Sequence, residues 1–300
     1  MSEWAIEVRE AVKRFGPTVA VNRLSLQVRR GECFGLIGPN GAGKTTTFAM
    51  MCGYLTANEG EIRIFGLNPR QPGALKRVVG VLPQDAALPG PAMVGPVLQY
   101  WARLSGLPDP EREAREALVK VGLSESWATS TQALSHGMNK RIALAQALMG
   151  DLPVLLLDEP TGGLDPRIAA HVRQLIRDLK GTRTIVVSSH NLQELEELCD
   201  SAAILDRGKL IESGSMTHLT SRGAEFRVEI ARGEVPLAEL QALPGCTRAS
   251  LDATGALVVQ FTGSPEEIIT RVVGLLISRG VLILGVTRGR KLEDRVLQVT

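Results

Sequence analysis

Gly38-Pro39-Asn40-Gly41-Ala42-Gly43-Lys44-Thr45-Thr46 fits the phosphate-binding pattern of a glycine, four residues, then glycine, lysine and a hydroxyl residue. Its flanks fit too. Cys33-Phe34-Gly35-Leu36-Ile37 is a short apolar run of buried-strand type, and Thr45 to Cys52 reads as a helix. A glycine-rich turn between strand and helix lets consecutive backbone N–H groups face phosphate oxygens, and the helix N-terminus adds partial positive charge. In that geometry Lys44 reaches the β- and γ-phosphates and the Thr45 hydroxyl ligates Mg²⁺. The loop alone leaves GTPase and kinase classes open.

Downstream, Val154-Leu155-Leu156-Leu157-Asp158-Glu159 narrows the field. An apolar strand ending in an acid is how a phosphate-loop enzyme holds Mg²⁺, a role that falls to Asp158. The adjacent Glu159 is placed to polarise an attacking water, as a general base or orienting group.

The first 220 or so residues alternate strand and helix signals, with strands at 25–28, 33–37, 78–82, 154–157, 184–188 and 202–205. Continuous apolar strands interleaved with helices imply an α/β domain whose sheet is covered on both faces. From about 86 to 150 the strand signals stop, and 97–105, 110–121 and 139–149 read as a helical insertion. The polar stretch 213–224 reads as a linker. Beyond it, over 225–300, the order βαββαβ points to a small ferredoxin-like α+β domain, with strands at 226–230, 247–251, 256–261 and 282–287 and helices at 237–243 and 265–279.

Composition sets further bounds. The 300 residues, 44% hydrophobic, are ample for one large or two ordinary cores, and the net charge of +2 offers no broad field for nucleic acid. Over 225–300, nine basic residues face nine acidic ones, a balance that argues against phosphate-backbone binding there. The four cysteines are scattered without a CxxC pair, as in a reduced, cytosolic protein, and Cys33 and Cys52 beside the loop read as small buried hydrophobes. The N-terminal residues lack the order of a secretory signal, and no run of 18 apolar residues exists to span a membrane.

The order of further segments carries a family resemblance. After the loop come Gln84, then Leu134-Ser135-His136-Gly137-Met138, then Leu157-Asp158-Glu159-Pro160, then Gly163-Leu164-Asp165 and Val187-Ser188-Ser189-His190. Over about residues 6–213 the chain resembles the ATP-binding subunit of an ABC transporter, in the drug-exporter-like (ABC-2 type) branch. The resemblance implies a P-loop ABC-type nucleotide-binding domain that takes ATP and Mg²⁺. It assigns Phe15 to stacking on adenine, against the reading of a core Phe, and Gln84 to sensing Mg²⁺ and coupling to a membrane partner. His190 becomes the switch residue at the γ-phosphate, and Asp165 lies at a dimer seam.

Leu134–Met138 matches the family's signature segment, which caps the ATP bound to the other subunit. Leu134, Ser135 and Gly137 fit the familiar Leu-Ser-Gly-Gly-Gln, whereas His136 replaces a glycine and Met138 a glutamine. The Ser135 hydroxyl, the backbone donors and a following helix N-terminus survive these changes. His136 is expected as a solvated loop histidine, contact with nucleotide across the seam being the alternative.

The implied protein is an ATPase that powers a transporter, an exporter before an importer, by ATP-driven head-to-tail dimerisation. Its expected partners are a separate transmembrane permease and a second ATPase subunit, identical or related, with no nucleic acid. Its place is the cytoplasmic face of the membrane. The competing class is a soluble ABC ATPase acting on ribosomes or DNA. The segment 225–300 with its terminal Leu292-Glu293-Asp294 resembles an accessory tail, read as a dimerisation surface or a ligand-binding module.

Overall fold

A long antiparallel ribbon opens the chain. β1 (Trp4–Phe15) and β2 (Thr18–Arg29) pair from Trp4↔Arg29 to Phe15↔Thr18, and β1 also pairs with β4 (Glu59–Ile64). The computed structural model describes residues 3–71, 73–220, 225–252, 254–288 and 296. These divide at Gly214/Ser215 into two compact units.

In the first unit, β3 (Cys33–Ile37) leads through the glycine-rich loop into α1 (Lys44–Met51). After β4 come β5 (Val79–Leu82), α2 (Val94–Leu104), α3 (Pro110–Lys120) and α4 (His136–Leu148). Then follow β6 (Val154–Asp158), α5 (Pro166–Leu179), β7 (Thr184–Ser188), α6 (Leu192–Leu198), β8 (Ser201–Asp206) and β9 (Lys209–Ser215). A six-stranded sheet runs in the order β5-β6-β7-β3-β8-β9, parallel from β5 through β8. The loop-bearing strand β3 thus sits between β7 and β8.

Side chains alternate across a strand, which splits these apolar strands between two cores. Phe34, Leu36, Val154, Leu156, Val186, Ala203 and Leu205 face α1 and the antiparallel ribbon in one cluster. Their neighbours Leu155, Leu157, Ile185, Val187 and Ile204 are equally inaccessible on the other face. There the helices come close: a Cβ on Gly35 would stand 3.2 Å from Cys199 Sγ at the end of α6. A strand buried on both faces needs the continuous apolar run that marked it.

The helical insertion is present, and α4 begins at His136, three residues before the expected 139, because Ser135 caps it. α4 also rides directly on the sheet. A Cβ on Gly80 of β5 would fall 2.0 Å from Ala147 O, so only glycine admits the helix at that depth.

In the second unit, α7 (Met216–Thr220) precedes β10 (Glu225–Arg232), α8 (Leu237–Gln241), β11 (Cys246–Leu251), β12 (Leu257–Phe261), α9 (Pro265–Ser278) and β13 (Leu282–Arg288). The wholly antiparallel sheet order β11-β12-β10-β13 is that of a ferredoxin-like sandwich. Phe226, Val228, Leu257, Val259, Val272 and Leu276 form its core. One expectation needs correcting: the stretch read as a linker contains α7. Ser215 Oγ accepts from His218 N at 3.1 Å, and Met216 and Leu219 are buried, two apolar anchors within a polar texture. Residues 221–224 and the Leu292-Glu293-Asp294 run lie outside the described residues.

Candidate active site

Two glycines of the loop are fixed by close approach. A Cβ on Gly38 would stand 2.3 Å from Leu205 O, and one on Gly43 would stand 2.6 Å from Ala20 O. The turn between β8 and β9 presses against the same place. Arg207 and Gly208 both take positive φ (45° and 78°), the two-residue hairpin turn whose twist suits its strands. Gly208 N donates to Ala42 O at 3.1 Å and Gly208 O accepts from Asn22 N at 2.8 Å, so loop, hairpin and ribbon are clamped together.

α1 starts after Gly43 with no side-chain cap, leaving its first N–H groups for a ligand. Lys44 Nζ donates to Gly38 O at 2.6 Å and Pro39 O at 3.1 Å, which folds the ammonium over the loop. Burial lowers the Lys44 pKa, opposed by the negative charges of Glu159 and Asp158.

A cleft of about 510 Å³ is lined by Phe15, Asn40, Gly41, Ala42, Gly43, Lys44, Thr45 and Thr46, and by Gln84, Asp158 and Glu159. Thr18, Val19, Ala20 and Arg207 complete it, four residues that sequence reasoning did not single out. They come from the first turn of the ribbon, which carries no motif, and from the β8–β9 turn, whose Leu205-Asp206-Arg207-Gly208-Lys209 resembles exporter-type subunits without pointing to a place in the cleft. Phe15 is half exposed rather than a core residue, with Lys13 Nζ 5.3 Å from its ring centroid.

Thr45 Oγ1 donates to Gln84 Oε1 at 3.5 Å, bringing the helix start and the loop after β5 together. Asp158 is buried at the end of β6 and accepts from the Ser188 hydroxyl. A hydroxyl, an amide oxygen and a carboxylate are hard donors that fit Mg²⁺, an ion that keeps waters and phosphate oxygens for its remaining positions. Among the described residues no group of three His, Cys, Asp or Glu side chains is placed to hold a metal ion.

Glu159 takes φ 53°, a conformation that a non-glycine residue adopts at a cost of about 1 kcal/mol or more. It is held there by the end of β7, where Glu159 N donates to both Ser188 O (3.1 Å) and Ser188 Oγ (3.2 Å). The result sends the carboxylate back towards His190, whose Nδ1 lies 2.7 Å from Glu159 Oε2. A carboxylate paired with an exposed imidazole, beside a phosphate loop, can orient water and handle a proton.

The remaining sequence-derived residues lie away from the cleft lining. Ser135 Oγ accepts from Met138 N at 3.2 Å as the N-cap of α4, which leaves the hydroxyl proton free to donate. His136 stands on the first turn of α4 rather than in a loop, exposed, and a Cβ on Gly163 would meet its Nε2 at 3.1 Å. Gly137 lies near Leu164, while Leu134 and Met138 are half-buried. Asp165 caps α5, accepting from Arg167 N at 3.1 Å and Ile168 N at 3.0 Å. Among the described residues, none of Leu134–Met138 lines the cleft that holds the phosphate loop.

Comparison with known proteins points to a single family. Residues 21–162 match the family model described as ABC transporter. The linearmycin resistance ATP-binding protein of Bacillus subtilis is 35% identical over 221 residues, covering 72% of this chain and 71% of that protein. The Nod factor export ATP-binding protein I of Rhizobium etli is 34% identical over 306 residues, covering 99% of this chain and 93% of that one. A solved structure described as the ATP binding subunit of an ABC transporter superposes with a TM-score of 0.67 at 26% identity, covering 72% of this chain and 91% of that chain. No helix among the described residues is long and apolar enough to cross a membrane. The chain belongs to the ABC transporter family, as one of its ATP-binding and ATP-hydrolysing subunits.

Proposed function

We propose that this chain powers an exporter, docked on the cytoplasmic face of the membrane against a separate permease, and that it works as half of a head-to-tail dimer with a second copy or a related subunit. The observation that carries this reading is the split site. The cleft gathers Phe15, the phosphate loop, Gln84, Asp158 and Glu159 but not Leu134–Met138, where Ser135 caps the start of α4. The names of the relatives, export and resistance proteins among them, support the direction of transport.

In this reading Phe15 stacks on adenine, the N–H groups of Gly38–Thr46 cradle the phosphates, and Lys44 leaves its two carbonyls for the β- and γ-phosphate oxygens. Thr45, Gln84 and Asp158 would hold Mg²⁺, which when bound would supply positive charge to offset that of the phosphates. Glu159 orients the attacking water, with His190 held against it. From the partner, Ser135 with the backbone of His136, Gly137 and Met138 closes over the γ-phosphate, Leu134 anchors that segment, and Asp165 stands at the seam. ATP binding closes the pair and hydrolysis reopens it.

Glu159→Gln tests the assignment. The variant is expected to bind ATP, lose turnover and accumulate as an ATP-bound dimer, seen by size exclusion with light scattering. Near-normal hydrolysis in that variant would sink it. Co-purification with a membrane permease supports the transport role, whereas salt-sensitive retention of RNA or DNA supports the soluble alternative.

A further inference from the structure

Lys140, on α4 five residues after Ser135, is a buried cation that the reading above does not use. It is 7% exposed and its Nζ donates to Gly162 O at 2.8 Å. A Cβ on Gly162 would stand 3.3 Å from that Nζ and 3.4 Å from Glu159 Oε2, so ammonium and carboxylate flank the same point of the loop 159–165. Burial lowers the Lys140 pKa, and the negative charges of Glu159, Asp158, Asp85 and Glu194 oppose that shift.

The same loop is gripped at its next-door residue. Thr161 Oγ1 donates to Glu194 Oε2 at 2.7 Å, and Ser189 Oγ donates to the same oxygen at 3.0 Å. Glu194 is buried on α6, two positions into the helix that follows His190. Further along, Gly163 approaches His136 and Leu164 approaches Gly137, both on the first turn of α4. The loop that begins at Glu159 is thus hydrogen-bonded to α4 at Gly162 and to α6 at Thr161, and Gly163 and Leu164 pass close to the first turn of α4.

We propose that Lys140 is a positioning residue for hydrolysis. Through the Gly162 carbonyl it ties the helix that carries Leu134–Met138 to the loop that carries Glu159. This rests on the head-to-tail reading, in which the Leu134–Met138 segment serves the partner's ATP and Glu159 serves the chain's own. Lys140 then makes the two nucleotide sites share one rigid piece. Taking the buried ammonium away also removes its desolvation cost, which offsets part of the stability lost with the hydrogen bond to Gly162 O. What Lys140→Met removes is the donor on Gly162 O, and with it the register of the loop.

The test compares full-length wild type, Glu159→Gln, Lys140→Met and Lys140→Arg for ATP hydrolysis, melting temperature and, in the Glu159→Gln background, ATP-dependent dimerisation. Turnover by wild type, its loss in Glu159→Gln and ATP-dependent dimerisation of Glu159→Gln test the underlying reading, and failure of any one removes that reading itself. Given these, Lys140→Met is expected to lower kcat about 10- to 100-fold, with KM for ATP changed less than about twofold and melting lowered by a few degrees at most, as the lost donor to Gly162 O requires. Lys140→Arg, which keeps a charged donor, is expected to recover most of the loss. Unchanged kcat in Lys140→Met, a change confined to KM, or an Arg variant as impaired as the Met variant would each overturn the proposal. Lys140→Gln, shorter and uncharged but still a donor, covers the case in which the Met variant does not fold, with intermediate kcat expected and wild-type kcat counting against it.

Discussion

His190 and Glu159 meet across the sheet because β6 and β7 are parallel neighbours in a register that pairs Asp158 with Ser188. The two residues are 31 positions apart, yet His190 Nδ1 lies 2.7 Å from Glu159 Oε2. Both leave the sheet at its carboxyl edge, one and two residues beyond the last paired position. The left-handed turn at Glu159 and the Ser188 acceptors make up the difference. A slip of one residue between these strands would put the imidazole on the wrong side of the carboxylate.

His190→Ala should therefore act on chemistry more than on binding. The ring is largely exposed and packs little, so the fold is expected to melt as wild type does. Removing the partner of Glu159 is expected to lower kcat about 100-fold or more, with ATP affinity by equilibrium titration changed only modestly. A variant that hydrolyses ATP at the wild-type rate would remove His190 from the reaction.

The same register explains what could be read in advance. β3, β6 and β7 are buried on both faces, so their central residues form short apolar runs that stand out as strands. β1 and β4 did not stand out. β1 alternates with charged residues, and its pairing is interrupted between Val8 and Ala11 near Glu10, whose φ is 46°. β4 carries Gly60, packed so closely on β1 that a Cβ would meet Glu10 O at 2.2 Å. Local pattern cannot announce a strand whose regularity is broken where it meets its neighbour. Lys140 and Glu194 were hidden for a related reason. Their meaning comes from Gly162 and Thr161, far along the chain, and a lysine or glutamate on an amphipathic helix reads as solvated until its burial is known.

Gly38 and Gly41 offer a controlled comparison within one loop. A Cβ on Gly38 would collide with Leu205 O at 2.3 Å and Ala42 Cβ at 2.8 Å, whereas one on Gly41 meets nothing within 4 Å and faces only the strain of φ 82°. Gly41→Ala should cost about 1 kcal/mol. Gly38→Ala should cost about 3 kcal/mol and also displace the loop from β8, lowering ATP affinity at least about tenfold. Denaturant melts and nucleotide titrations of the two variants check the order, and equal costs would contradict the close approach.

Asp165 separates a capping role from a seam role. Asp165→Ala removes the acceptor of two N–H groups at the start of α5 and should cost about 1 kcal/mol, or about 2–4 °C in Tm. Asp165→Asn keeps the cap and should melt within about 0.5 kcal/mol of wild type. If Asp165 also stands at the seam, both variants weaken ATP-dependent dimerisation in the Glu159→Gln background. Dimerisation unchanged in Asp165→Asn would confine the residue to capping.

Cys52, at the end of α1, provides a pH test of the packing behind the phosphate loop. Burial, with the charge of Asp158 adding to it, pushes its thiol up to about 12. An unperturbed thiol near 8.5 is about one quarter thiolate at pH 8, whereas one near 12 is ionised to about one part in ten thousand. Native protein should therefore resist iodoacetamide at Cys52 at pH 8, with the rate rising about tenfold per pH unit, while all four cysteines react once it is unfolded. The linkage has a definite sign. Between the unfolded thiol pKa and about 12 the unfolded chain sheds the proton first, so the stability held by the protonated thiol is complete below about 8.5 and drains away as pH rises. Relative to Cys52→Ala, the wild type should lose stability across that alkaline window and not below it. Rapid alkylation of native Cys52 at pH 8, mapped by mass spectrometry, would mean that the end of α1 is open to solvent.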